Sequence, residues 1–389
     1  MARKQTLEAK AEPRAKSAPG WVAGIDGGGT KTRAWVATAD GELLGRGESG
    51  PSNCMAVGVP AAARALDEAL RQALDEAGRA ISDQDEAPPA ALDVAQPRTE
   101  HRAAHRGQGE RLEAICLGMA GADRPEERRE LGEALARLGW PEVRLIWVND
   151  AAIVLAAGRT EGAVAALVAG TGSIVYAETP EGQVVRVGGW GPIIGDEGSG
   201  YDLGRRALIA VMREADGRGP RTALTPRILE AMGVSDPFAI PSLVYRGGFD
   251  RPRIAALSRV VVEVAVQGDP VALAIARAGA ADLAELVITA LSQLSSGHEP
   301  GRVDKVVASG GLFANGSPMW KWVQEELDRR WNGPRCRLIS LPVEPAVGAV
   351  LIAIEAVSGK QPGVFSRLTG SYRRRRSDAP AGGLESAEQ

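Results

Sequence analysis

The chain has 389 residues, 44% of them hydrophobic, enough to build two cores, but with aromatics at only 4% those cores must be filled by aliphatic side chains and Ala. A formal charge of −3 gives no electrostatic reason to expect a nucleic-acid partner. Three scattered cysteines (Cys54, Cys116, Cys336) without a CxxC pair, and three histidines without HExxH, argue against a disulfide framework, a structural zinc or a histidine metal centre.

In chain order, residues 1–20 mix charge with Ala and lack the apolar stretch of a secretory signal. No uncharged run reaches the roughly 18 residues of a membrane span. The expectation is a cytoplasmic protein with no membrane partner and a disordered lead over 1–20. Trp21–Ile25 then reads as a strand running into Asp26-Gly27-Gly28-Gly29, with a second strand at Ala34–Ala37. Asp40-Gly41 signals a turn, and Glu42-Leu43-Leu44-Gly45 opens a third strand. Pro60–Ala77 is helical. Around Gly78–Gly109 the composition shifts to Ala, Pro, Gln and Arg, the signature of a flexible insertion (78–110). Leu112–Met119 and Val143–Val148 are buried strands with an Ala/Leu-rich helix between them, so this half is an α/β domain.

The second half repeats the opening. Ala163–Ala169 is apolar, followed by Gly170-Thr171-Gly172-Ser173, a second strand at Ile174–Ala177, an Glu181-Gly182 turn and Val184-Val185. Thr30 and Thr171, like Gly41 and Gly182, stand 141 positions apart, and the two motifs superpose at that offset without a gap. A strand–turn–strand unit used twice predicts two related domains facing a shared cleft.

Gly-rich turns expose successive backbone N–H groups to an anion, and an adjacent Thr or Ser adds a hydroxyl donor. Gly28, Gly29, Thr30 and Lys31 offer this in the first hairpin, and Gly170, Thr171, Gly172 and Ser173 in the second. One such hairpin is weak evidence, since any β-turn favours glycine; two can grip one nucleotide's phosphates from both sides. Asp26, at the end of a buried strand, is placed either to hold Mg²⁺ through water or to cap the turn. No GxxxxGK[ST] occurs. Gly45-Arg46-Gly47-Glu48-Ser49-Gly50 matches GxGxxG, but Pro51-Ser52-Asn53 follows where a helix should open, so the dinucleotide context is missing.

Asp150 follows the strand Val143–Val148 and precedes a helical stretch, which suits either a general base at a strand's C-terminal end or a helix N-cap. The loop Gly188–Gly200 combines dense glycine with Trp190 and two acids. Trp190 can pack on a sugar face and Asp196 can accept from sugar hydroxyls; alternatively Asp196 or Ser199 caps a helix around Gly204–Met212. After the strand Val303–Ala308, the Ser309–Asn315 segment is a strand–Gly–helix junction that either admits a flat base or is a plain tight turn.

Together these segments resemble the actin-like ATPase superfamily, and within it the N-acetylglucosamine kinase and BadF/BadG-type ATPases. The motifs that carry the resemblance are Gly27–Thr32, Leu117-Gly118-Met119-Ala120-Gly121-Ala122-Asp123, Asn149-Asp150-Ala151, Ala169–Ser173 and Gly188–Gly200, spread from Val22 to about Val357. The resemblance implies two ribonuclease-H-like domains hinged over ATP and Mg²⁺, with a sugar at the base of the cleft and a homodimer as the plausible assembly. It further implies Asp150 as the base for the sugar 6-hydroxyl, Asn53, Gly189, Trp190 and Asp196 as sugar contacts, and Thr30 and Thr171 in the phosphate loops. Gly310, Gly311 and Ala314 fall in the implied adenosine pocket. The implied domains are 21–155, joined by a C-terminal helix 344–358, and 156–343. Composition, rich in Arg and Ser and poor in large apolar residues, predicts a disordered tail at 365–389 that includes Arg373–Arg376.

Two positions depart from the animal N-acetylglucosamine kinase pattern. Ala120 and Val187 stand where small polar residues are expected near the sugar, which leaves glucosamine and N-acetylmuramic acid open as substrates. A dehydratase activase would need cysteine ligands for an iron–sulfur cluster, and none of the three cysteines sits in a cluster motif. A non-catalytic sugar sensor could dispense with Asp26 or Asp150, yet both are present.

Overall fold

The computed structural model describes residues 20–85, 112–119, 125–140, 143–159, 163–179, 182–294, 304–314 and 316–378. All of the expected lead except Gly20, most of the insertion, Ala120–Asp123 and Asn315 lie outside the described residues. Among the described residues, ten strands form two sheets. The first holds β1 (Trp21–Gly27), β2 (Thr32–Thr38), β3 (Leu43–Ser49), β4 (Leu112–Met119) and β5 (Arg144–Asn149) in the order β3-β2-β1-β4-β5. The second holds β6 (Ala163–Ala169), β7 (Ser173–Glu178), β8 (Val184–Gly188), β9 (Asp304–Ser309) and β10 (Cys336–Ser340) in the order β10-β9-β6-β7-β8.

Each sheet is built outward from its first strand. β1 pairs antiparallel with β2 and parallel with β4, and β6 pairs antiparallel with β7 and parallel with β9. The 141-residue repeat extends to the turns. Thr38 N–H donates to Glu42 O at 2.9 Å, and Glu42 N–H returns a bond to Thr38 Oγ1 at 3.0 Å. In the second sheet Thr179 N–H donates to Gln183 O at 2.9 Å, and Gln183 N–H donates to Thr179 Oγ1 at 3.1 Å. The glycine inside each turn has positive φ, +100° at Gly41 and +86° at Gly182, which is why the turn residue is glycine both times.

The helices are α1 (Cys54–Val57), α2 (Val59–Asp85), α3 (Pro125–Arg137), α4 (Asp150–Gly158), α5 (Gly200–Ala215), α6 (Leu224–Met232), α7 (Ile240–Tyr245), α8 (Arg251–Val266), α9 (Pro270–Leu294), α10 (Pro318–Arg330), α11 (Pro345–Ser358) and α12 (Val364–Asp378). α2 packs onto β3 at very short range. A Cβ on Gly45 would lie 2.1 Å from Ala73 O, and one on Gly47 would lie 1.9 Å from Ala69 O. The GxGxxG match is therefore a helix-packing surface, a role its sequence did not announce.

α11 packs on the first sheet, with Ala346, Val347, Val350 and Ile354 in one core with Val22, Ala114 and Cys116. The second core gathers β6 and β7 with α5, α8, α9 and α10. α4 belongs to both. Ile153, Ala156 and Ala157 enter the first-sheet core, while Val154 and Leu155 pack with Ala166 and Val307 of the second sheet. The expected domain boundary between 155 and 156 thus falls inside a helix that both sheets share.

Two expectations of disorder need correction. Helix α2 continues to Asp85, so the segment beginning at Gly78 starts as helix. The tail expected from 365 is helical to Asp378. α12 forms because β3 is an edge strand with backbone groups to satisfy. Leu43 N–H donates to Ser371 Oγ at 3.1 Å, Arg375 donates to Leu43 O at 2.8 Å and also to Leu44 O, and Leu368 is fully buried. Among the described residues, no helix is long and apolar enough to cross a membrane.

Candidate active site

β1 is buried along its length and delivers Asp26 at its C-terminal end, beside the first Gly hairpin. Asp150 opens α4 directly after β5, which brings it to the same edge of the sheet. Burial first, and then the negative charge of Asp150, raise the Asp26 carboxyl to about 7 against the opposing pull of Arg33 and Lys31. The two carboxylates that sequence reasoning singled out separately are therefore electrostatic neighbours. Asn149 supplies the N-cap of α4, accepting Ala151 N–H at 2.9 Å, a bond that Asp150 Oδ1 also receives at 2.9 Å.

Beneath Asp26 lies a charged frame that sequence reasoning missed. Arg33 contacts Glu48 at 3.2 Å and Glu344 at 3.5 Å, and Arg46 contacts the same two acids at 2.7 and 3.5 Å. The Trp35 indole N–H also donates to Glu344. Strand alternation carried a signal for half of it, since Arg33 is in register with Asp26 on one side and Glu48 on the other. Glu344, some 300 positions away, left no local signal.

The first hairpin is braced from behind. Gly28 N–H donates to Lys31 O at 3.2 Å, and Gly28 O accepts from Ser52 N–H at 3.0 Å and Asn53 N–H at 3.2 Å. The buried Thr32 hydroxyl donates to Gly50 O at 2.7 Å. Gly29 and Thr30 stay exposed at the tip. Asn53 lies against this hairpin, but its side-chain carbonyl caps α1 by accepting Met55 N–H at 3.0 Å.

The second hairpin repeats that plan. Thr171 is exposed, while the Ser173 hydroxyl is buried and donates to Glu197 O at 2.7 Å, so Ser173 ties the hairpin to the Gly-rich loop. Asp196 completes the tie. Its carboxylate accepts from Arg251 at 2.6 Å, from Ser173 N–H at 3.4 Å and from the Gly191 N–H. Burial raises its pKa and Arg251 lowers it. Among the described residues it is the one non-glycine with positive φ, at +58°, a strained conformation for a side-chain-bearing residue. Ser199, not Asp196, caps the following helix, which begins at Gly200.

Trp190 is 64% exposed, with the Arg186 guanidinium 5.2 Å from its ring centroid. Its ring is thus open to a flat partner, and Ile193 and Ile194 beside it are also exposed. Gly189 precedes it and donates its N–H to Ser173 O at 2.9 Å. Gly310, with φ +101°, lies so close to the second hairpin strand that a Cβ there would sit 2.4 Å from Ala169 O. Gly311 opens the short 3₁₀ turn Gly311–Phe313, which Ala314 caps. The candidate residues thus fall into two groups. The first sheet carries Asp26, Lys31, Asn53 and Asp150, and the second carries Thr171, Gly172, Ser173, Trp190, Asp196 and Gly310.

A family model, the BadF/BadG/BcrA/BcrD ATPase family, matches residues 23–353. The chain belongs to this family. It is 34% identical over 337 residues to an N-acetylmuramic acid/N-acetylglucosamine kinase of Clostridium acetobutylicum, covering 86% of this chain and 98% of that protein. It is 28% identical to an N-acetyl-D-glucosamine kinase of Dictyostelium discoideum, covering 86% and 97%. A solved structure from Chromobacterium violaceum, provisionally named an N-acetylglucosamine kinase, superposes with a TM-score of 0.64 at 26% identity and covers 86% of this chain and 99% of that one. The ATPase family membership and the paired five-stranded sheets accord with the actin-like fold that the family resemblance implied.

Proposed function

We propose that this family member is an ATP-dependent kinase that phosphorylates the 6-hydroxyl of an amino sugar, with N-acetylglucosamine as the first candidate substrate. N-acetylmuramic acid and glucosamine are the alternatives. The observation that carries the reading is the pairing of Asp150 with Asp26 at the edge of the first sheet, where one carboxylate can take the hydroxyl proton and the other can serve a cation. The kinases named among its relatives support the same chemistry.

In this reading the sugar stacks on Trp190 and is gripped through Asp196, with Gly189 and Asn53 at its margins. Asp150 accepts the proton of the attacking hydroxyl. Thr30 and Thr171, exposed at two equivalent hairpin tips, hold phosphates from opposite sheets, with Gly28, Gly29, Lys31, Gly172 and Ser173 shaping the two turns. The adenosine lies over Gly310, Gly311 and Ala314. Asp26 fits a Mg²⁺ ion, because its carboxyl is buried beside a second carboxylate, a pairing that a divalent cation relieves. When bound, that ion offsets the charge of the phosphates. A cytoplasmic location and a homodimer complete the proposal.

An activase role is disfavoured by the cysteines. Cys54, Cys116 and Cys336 are all buried, on α1, β4 and β10, and burial raises each thiol's pKa away from the thiolate that iron requires.

The test is ADP release with Mg-ATP against N-acetylglucosamine, N-acetylmuramic acid, glucosamine, N-acetylmannosamine and glucose. Release that depends on an amino sugar supports the reading and names the substrate. Release that no sugar stimulates sinks it.

A further inference from the structure

Arg251 is the first residue of α8, a position where a cation is unfavourable, because it meets the positive end of the helix dipole. The helix is capped without it, since Asp250 accepts Arg253 N–H at 3.1 Å. The stability of α8 therefore does not account for an arginine here. What the side chain reaches does. Its Nη2 lies 2.6 Å from Asp196 Oδ2 and stands over that carboxylate, with 41% of the Arg251 side chain exposed against 5% for Asp196. The Tyr201 ring supports the guanidinium from one side, its centroid 6.0 Å away. Tyr201 itself donates its N–H to Thr171 O at 3.4 Å.

The ion pair also sets the shape of the second hairpin. A Cβ built on Gly172 would lie 3.0 Å from both Asp196 oxygens and 3.1 Å from Arg251 Nη2. Gly172 is small because the pair packs directly against it. One guanidinium thus meets the Gly-rich loop, through Asp196, and the hairpin, through Gly172.

We propose that Arg251 is a positioning residue: it fixes the Asp196 carboxylate in the orientation that receives the sugar hydroxyls and links the sugar loop to the second phosphate hairpin. This rests on the kinase reading. A buried carboxylate held in a strained backbone conformation needs a fixed partner to keep one orientation. The planar, permanently charged guanidinium, which meets Asp196 through Nη2 and also faces the Tyr201 ring, suits that task in a way lysine does not.

The experiment measures steady-state kinetics and sugar binding by calorimetry for the wild type, Arg251→Met, Arg251→Lys, Asp196→Asn and the double variant Arg251→Met/Asp196→Asn. The expected result is a KM for sugar raised at least about 10-fold in Arg251→Met, with the KM for ATP changed by less, partial recovery in Arg251→Lys, and a double variant no worse than Asp196→Asn alone, since residues that act as a unit are non-additive. If Arg251→Met is misfolded, Arg251→Lys carries the same comparison. Sugar kinetics within about 2-fold of wild type in both, or additive losses in the double variant, would overturn the role of Arg251. A wild type that no sugar stimulates or binds fails at the earlier step, and takes the sugar role of Arg251 down with the kinase reading.

Discussion

The charge of Asp150, at the start of α4, raises the proton affinity of Asp26, at the end of β1, on top of the rise that burial alone imposes. The two carboxylates therefore compete for the same scarce positive charge. Arg33 and Lys31 relieve Asp26 in part, but Glu344 adds to the burden. A site with this balance favours a cation and is costly to keep ionised without one.

The first prediction concerns stability. With its carboxyl at about 7, folded Asp26 holds a proton that the unfolded chain releases near pH 4. Its contribution to stability is complete below the unfolded value and is lost as pH rises through about 7. Asp26→Asn removes the ionisation. Without metal, the variant should melt above the wild type at pH 8, and the gap should narrow by pH 5. Added Mg²⁺ should stabilise the wild type at pH 8 but not the variant. Thermal melts at the two pH values check this, and a gap that widens towards pH 5 would contradict the charge assignment.

The second concerns chemistry. Asp150→Asn keeps the size of the side chain, and Asn149 still caps α4. Turnover should fall at least about 100-fold, the scale of a lost general base, while ATP binding by calorimetry stays near wild type. Near-normal turnover would remove Asp150 from the mechanism.

The third separates a structural glycine from a functional one. Gly47 leaves 1.9 Å between a would-be Cβ and Ala69 O, so Gly47→Ala must push α2 off β3. Overpacking of this kind costs about 1–3 kcal/mol. The melting temperature should drop with the KM for ATP unchanged. A raised KM for ATP with unaltered stability would instead restore the dinucleotide-like reading of Gly45–Gly50.

Much of this architecture was legible in the sequence because it rests on local chemistry. Thr38 and Thr179 each bond a residue four positions on, around a glycine of positive φ, so the repeat is written in short stretches that can be aligned by eye. Asp26 and Asp150 were visible for a similar reason, as each ends a strand or opens a helix. Glu344 and Arg251 were not. Each acts on a partner far along the chain, Arg33 in one case and Asp196 in the other, and nothing in the residues around them marks the contact. α12 was missed for a different reason. Its Ser and Arg content reads as a solvated tail, and it is helical because it covers the edge of β3, which composition does not reveal.

That covering gives the last prediction. Arg374 and Arg375 are neighbours with the same charge, but they meet the protein differently. Arg374 pairs with Glu42 where both side chains are well exposed, 62% and 50%, so solvent screens the pair. Arg375 is 27% exposed, pairs with Glu76 at 2.6 Å and donates to the carbonyls of Leu43 and Leu44 on the open edge of β3. Arg374→Ala should therefore change stability by less than about 1 kcal/mol. Arg375→Ala should cost about 1–3 kcal/mol, because it strips charged donors from two edge carbonyls and leaves Glu76 with the Arg46 backbone N–H but without its ion-pair partner. Urea denaturation of both variants makes the comparison. Hydrogen exchange should locate the added opening in β3 and α12, while the second sheet stays protected. Equal losses from the two arginines would mean that α12 is held by diffuse charge attraction, and the edge-capping account of the helix would fail.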